Sequence, residues 1–215
     1  MLTKPASTLR FHRLLLTGAA GYLGRELRPR LKAYCEVLRL SDRADLSPAI
    51  EGEEVQITAL ENKDQVLDLL HQVNAVVHLG GVSTEQPWEM VLASNIAGMV
   101  NLYEAARLQG VKRIVFASSN HVTGFYRQDE VVNTRMPPKP DGFYGLSKAF
   151  GEDVAQMYWD RWGIETVSIR IGSSTPEPKD RRMLATWLSH DDLERLVVAA
   201  LTAPIVGHSI IYGMS

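Results

Sequence analysis

The sequence has 215 residues, 45% hydrophobic and 22% charged, enough for one α/β domain with a core of its own. Its 23 lysines and arginines nearly balance 25 aspartates and glutamates, a formal charge of −2. Neither nucleic acid nor an anionic membrane is therefore expected as a partner, and any anion has to be held by local groups.

Cys35 is the one cysteine. It rules out an internal disulfide, fits a reducing cytoplasmic setting, and reads as a small filler near a helix end. No apolar run reaches the length of a signal core or a membrane span. No repeat or low-complexity linker divides the chain, so residues 1–215 read as a single domain.

In chain order, His12 to Thr17 reads as a buried strand and Gly21 to Lys32 as a helix. Glu36 to Ser41 and Val55 to Thr58 are two further strands. Asn62 to His71 is helical, with Val66, Leu69 and Leu70 on one face. Ala75 to Leu79 is a strand that runs into Gly80 and Gly81. The clearest helix spans Trp88 to Leu108, where Leu92, Ile96, Met99, Val100, Tyr103 and Ala106 recur at helical spacing, and Gly110 ends it. Arg113 to Ala117 is a strand, followed by a polar loop with Pro137, Pro138 and Pro140. A helix from Tyr144 to Trp162, a strand from Thr166 to Ile171, a helix from Asp191 to Thr202 and a short strand from Ser209 to Tyr212 complete the set.

Strands alternating with helices imply parallel pairing, because parallel neighbours need long crossovers. Wholly apolar strands such as Leu14-Leu15-Leu16 fit a sheet covered on both faces. The expected fold is a Rossmann-type α/β domain, a doubly wound parallel sheet whose ligands sit at the carboxyl ends of the strands. The stretch from Ser173 to His190 has no clear element and is long for a connector, a length often linked to function.

Thr17-Gly18-Ala19-Ala20-Gly21-Tyr22-Leu23-Gly24 joins the first strand to the first helix with glycines spaced GxxGxxG. Such a turn lets the backbone approach a pyrophosphate, which then meets the free N–H groups and positive dipole end of the helix. A glycine pattern by itself is weak, but here it has a strand before it and a helix after it. Asp42 stands 24 residues after Gly18, at the end of the second strand. A carboxylate there accepts from both adenosine ribose hydroxyls and repels a 2′-phosphate, favouring NAD over NADP. Arg43 beside it pulls the other way.

Tyr144 and Lys148 are four apart in Tyr144-Gly145-Leu146-Ser147-Lys148 and share a helix face. A phenol is a poor base near neutrality, and a nearby ammonium is expected to lower its pKa. The strand Ile114 to Ala117 runs into Ser118-Ser119-Asn120-His121, which should lie beside the nicotinamide. Spacing alone does not separate the two serines, and Ser119 is favoured to hold the reacting oxygen. Asn120 reads either as a pocket residue or as a turn cap. His71, His78, His121 and His190 lack metal-ligand spacing, so no metal is expected. His190, before two aspartates, reads as a helix-start region.

These motifs resemble the extended short-chain dehydrogenase/reductase superfamily. More narrowly, His78 to Gly81, Phe116 to His121, Pro140 to Glu152, Arg170 to Ser173, Thr175 to Pro178 and Arg182 to Asp192 resemble uronate dehydrogenases, across nearly the whole chain. The resemblance implies NAD-dependent oxidation of C1 of D-galacturonate or D-glucuronate to the aldarolactone. It implies Tyr144 as base, Lys148 as its modulator and Ser119 as the group orienting the C1 hydroxyl. Gly18, Gly21, Tyr22, Leu23, Gly24, Asp42, Leu60, Leu79, Gly80, Gly81 and Ile171 would line the cofactor site. Asn95 would support Lys148 through water. Ser83, Asn120, His121 and Ser173 would contact the sugar, and Arg182 would clamp its carboxylate.

Two departures stand out. Ala59-Leu60 occupies the place where the family often has Asp-Leu reaching adenine. The chain also stops at Ser215, some tens of residues short of the family's usual length, so a C-terminal substrate-side extension is expected to be missing. The resemblance allows for a homo-oligomer. Two rivals share the glycine turn: a nucleotide-sugar epimerase or dehydratase, and a non-catalytic NAD-sensing regulator. The first usually needs a larger C-terminal region, and the second often loses the tyrosine or the lysine, both of which are kept here.

Overall fold

A computed structural model describes residues 11–215. Seven strands form one sheet in the order β3-β2-β1-β4-β5-β6-β7, with every neighbouring pair parallel. They are β1 (Phe11–Thr17), β2 (Cys35–Asp42), β3 (Glu53–Ile57), β4 (Ala75–His78), β5 (Arg113–Ser119), β6 (Glu165–Ile171) and β7 (His208–Gly213). The helices are α1 (Tyr22–Leu31), α2 (Lys63–Leu69), α3 (Trp88–Val91), α4 (Gly98–Gln109), α5 (Phe143–Trp162) and α6 (His190–Thr202). This is the doubly wound fold expected, and strand order reverses between β1 and β4, where a crevice opens at the carboxyl ends.

The apolar run of β1 serves two cores at once, because successive strand residues point to opposite faces. Leu14 and Leu16 pack with Leu27, Leu31, Leu193 and Val197 under α1 and α6. Leu15 packs with Val66, Leu69, Leu102, Tyr103 and Tyr158 under α2, α4 and α5.

Several boundaries shift for identifiable reasons. β5 runs two residues past Ala117, since Ser118 and Ser119 pair with Arg170 and Ile171 of β6; apolar patterning misses a polar strand end. β3 begins at Glu53, paired with Leu38. α2 stops at Leu69 because Gln72 turns into the left-handed region at φ 59°. Cys35 opens β2, fully buried, beside the 3-10 turn Lys32–Tyr34.

The long helix holds the main correction. Leu92–Ala97 between α3 and α4 is π-helical, and its wider turn rotates the upstream face. Leu92 is therefore exposed, at 42%, while Val91 and Asn95 turn inward; Val100, downstream in α4, faces outward at 41%. The chain from 173 to 189 carries a 3-10 turn, Met183–Ala185, and a bridge between Ser173 and Trp187. Ser189 caps α6 by accepting from the Asp192 N–H, and His190 is the first helical residue.

Candidate active site

The carboxyl ends of the strands open into a cleft of about 670 Å³. Its floor is the glycine-rich turn. Gly18 holds φ 70°, and a Cβ there would lie 2.7 Å from the Leu79 carbonyl carbon, so no other residue fits without strain. A Cβ on Gly24 would run into the Gly18 carbonyl oxygen, which keeps α1 tight against β1. Gly21, the N-cap of α1, offers no side-chain cap. The first N–H groups of the helix therefore have no intrahelical acceptor, and Tyr22, Leu23 and Gly24 line the cleft.

This glycine cradle, closed to a Cβ at Gly18 and Gly24, fits the diphosphate of a dinucleotide. At one lip, Asp42 is held by the N–H groups of Ala20 (3.0 Å) and Ala44 (3.1 Å), one to each carboxylate oxygen. Arg43, Leu60, Leu79, Gly80, Gly81 and Ile171 line the walls.

At the other end Ser119, Tyr144 and Lys148 converge. The Ser119 hydroxyl stands near the Tyr144 phenol and acts on its pKa, and it accepts from the His121 N–H at 3.2 Å. Ser118 donates instead to the Glu152 carboxylate at 2.6 Å, so Ser119 is the serine left facing the phenol. Lys148 is buried, donates from Nζ to the Ala117 carbonyl at 2.8 Å and lies 5.6 Å from the centre of the Tyr144 ring. Burial pushes the Lys148 ammonium down to about 8.

Burial also pushes the Tyr144 phenol above its ordinary value, opposed by the neighbouring Ser119 hydroxyl. The expectation that Lys148 lowers the phenol pKa is thus corrected. Loss of water around the phenol is the largest influence on it, and Lys148 is not among the groups that shift it.

His121 stands edge-on to Tyr144, ring centres 5.5 Å apart, with Nδ1 at 2.8 and 2.9 Å from the two Asp141 oxygens. A carboxylate partner assigns the proton to Nδ1 and leaves Nε2 free for other partners. Ser83 lines the cleft close by.

Four expected residues lie outside the cleft lining. Asn95 is buried in the π-helical turn, where its side chain bonds both backbone groups of Val82 (2.8 and 3.1 Å) and the Ser147 hydroxyl (2.9 Å). Asn120 opens a 3-10 turn and accepts from the Ser119 hydroxyl at 3.4 Å. Ser173 is tied to the Thr186 carbonyl through its backbone N–H. Arg182 is exposed at the head of the Met183–Ala185 turn.

Asp141, which holds His121, and Glu152, which takes the Ser118 hydroxyl and the Arg170 guanidinium beneath the site, were missed. Arg170 inside the apolar run Ile169 to Ile171 was the available signal: its guanidinium pairs with Glu152 at 2.7 and 2.9 Å, both fully buried.

Residues 14–204 match the NAD dependent epimerase/dehydratase family. The uronate dehydrogenase of Pseudomonas syringae pv. tomato is 58% identical over 206 residues, 95% of this chain and 75% of the relative. That of Agrobacterium fabrum is 50% identical over 203 residues, 94% of this chain and 77% of the relative.

The chain is a member of the uronate dehydrogenases.

A crystal structure of a family member, a mutant uronate dehydrogenase from Agrobacterium tumefaciens complexed with NAD, superposes with a TM-score of 0.94. It is 49% identical and covers 95% of this chain and 77% of its own. In this chain the glycine turn and the Tyr144 helix line one crevice. Among the described residues no helix is long and apolar enough to cross a membrane.

Proposed function

We propose that this member of the uronate dehydrogenases oxidises C1 of a hexuronic acid, D-galacturonate or D-glucuronate in the pyranose form, to the aldarolactone. NAD is the cofactor, and when bound it supplies the two-electron acceptor for the C1 hydride. The observation that carries this reading is one continuous cleft with Asp42 and the glycine cradle at one end and Ser119, Tyr144 and Lys148 at the other.

Tyr144 takes the proton of the anomeric hydroxyl, and Ser119 holds that oxygen in place. The phenol starts with a raised pKa, so the buried Lys148 ammonium is needed to stabilise the phenolate as it forms. His121 and Ser83 orient the ring hydroxyls. Arg182 is the proposed partner of the substrate carboxylate, reaching it from the exposed turn before Met183–Ala185, outside the cleft lining. A cytoplasmic location fits the lone cysteine.

The test is spectrophotometric: NADH formation with uronates, with neutral aldoses and with UDP-sugars. Turnover of uronates alone is expected. Turnover of UDP-sugars alone would move the chain to nucleotide-sugar chemistry. Arg182→Ala should cut kcat/KM for uronates about 100-fold while changing that for aldoses less than about threefold. Equal losses on both would remove Arg182 from the carboxylate.

A further inference from the structure

Helix α5 carries both Tyr144 and Lys148, yet its N-cap, Gly142, has no side chain to bond the first N–H groups. Glu85 does it from outside the helix. Its carboxylate accepts from the Phe143 N–H at 3.0 Å and from the Tyr144 N–H at 2.9 Å, one bond to each oxygen. The glycine at 142 is what admits it, since a Cβ there would collide with the Glu85 carboxylate. Gly142 sits at φ −177°, an extended conformation open to any residue, so steric room and not backbone freedom explains the glycine.

Glu85 also closes the segment that follows β4. Ser83 and Thr84 line the cleft, and the segment is fastened to α5 at two points. At one end Asn95 bonds both backbone groups of Val82 and reaches the Ser147 hydroxyl. At the other end Glu85 bonds the backbone of Phe143 and Tyr144. The substrate-facing wall and the helix bearing the base are thereby one unit, with Ser83 held between the two clamps.

We infer that Glu85 is a positioning residue for catalysis: it fixes the first turn of α5, and with it the Tyr144 phenol, against the Ser83 wall of the substrate site. The inference deepens the proposed reaction and rests on Tyr144 being its base. Glu85 touches no reacting atom and acts through the backbone of residues 143 and 144. It also sets a negative charge at the helix end nearest the phenol. The other charged groups facing Tyr144 are Lys148 on its own helix and the His121–Asp141 pair from the turn after β5.

Removing the Glu85 charge should therefore make phenolate easier to form while loosening its placement, two effects of opposite sign on the base. A plain helix cap would lower stability alone.

The experiment uses Glu85→Gln and Gly142→Ala in the full chain. The Tyr144 phenol is titrated by tyrosinate absorbance in the absence of cofactor, with Tyr144→Phe subtracted; kcat, KM and NAD affinity by calorimetry are measured beside it. For Glu85→Gln the phenol pKa should fall by about half to one unit. Its kcat should drop about tenfold, and NAD affinity should stay within about twofold. Gly142→Ala keeps the charge but displaces the carboxylate, so kcat should fall without the downward pKa shift.

An unchanged phenol titration and kcat in Glu85→Gln, with only a lower Tm, would overturn the inference. So would a loss of NAD affinity as large as the loss of kcat. Should Glu85→Gln not fold, Gly142→Ala with wild-type kcat is enough to reject it. If wild-type protein turns over no uronate, the base assignment fails, whereas the phenol titration still reports on Glu85.

Discussion

Ser118 and Ser119 are neighbours in sequence, yet pleating sends one hydroxyl to a buried carboxylate and the other to the phenol's side of the strand. Ser119→Ala should lower kcat about 100-fold with little change in Tm. Ser118→Ala should instead cost about 1–3 kcal/mol of stability in urea denaturation, because Glu152 loses a donor in a site that water cannot reach. If the two variants lose activity equally, the division of labour is wrong. Tyr144→Phe should reduce turnover about 1,000-fold or more while calorimetric NAD affinity stays within about twofold. Turnover near the wild-type rate would remove the assigned base. The raised pKa of Tyr144 and the lowered pKa of Lys148 have one cause, burial. Each is held toward its neutral form, so forming phenolate beside ammonium recovers interaction energy when both charges appear together.

At the scale of elements, α5 and β6 are locked by the Glu152–Arg170 pair, with Arg170 also donating to the Tyr212 hydroxyl of β7 at 3.1 Å. Both side chains are almost wholly buried. Arg170→Met strands the carboxylate and should cost about 3–5 kcal/mol by chemical denaturation. Adding Glu152→Gln, which removes the stranded charge, should recover part of that loss. No recovery would mean that packing of the arginine, and not its charge, holds β6 to α5. The π-helical turn at Leu92–Ala97 is the second element-scale device. It points Asn95 at the Val82 backbone, an orientation that uninterrupted α-helical phasing would not give.

At the scale of the molecule, β4 ends in His78, fully buried and bonded through Nδ1 to the Thr17 hydroxyl at 2.7 Å. Burial, helped by the nearby Lys148, pushes its pKa from 6.5 down to about 3. Between those values the unfolded chain holds a proton that the folded chain refuses. Stability therefore falls as pH drops from 6.5 toward 3, by at most about 1.4 kcal/mol per pH unit from this group. Urea midpoints measured across that window should fall with acid more steeply in wild type than in His78→Gln. Equal slopes would show that other groups govern acid unfolding. Because β4 lies beside β1 at the strand-order reversal, losing this pairing would open the floor of the cleft as well.

Local chemistry in the sequence determined the parallel α/β fold, the glycine cradle, Asp42 at the lip of the cleft and the shared face of Tyr144 and Lys148. Each depends on short-range spacing: alternation of strand and helix, glycines where no Cβ fits, and a four-residue helical repeat. Only the tertiary structure decided which serine faces the phenol, that burial raises the phenol pKa, that Asp141 holds His121, and that Glu85 caps α5 from 58 residues away. These depend on which distant groups share a dry space, and hydrogen bonding and desolvation across the fold leave no periodic trace along the chain. The π-helical turn belongs with them, since its phase shift shows only once the buried face of Met99, Leu102 and Tyr103 is fixed against the sheet.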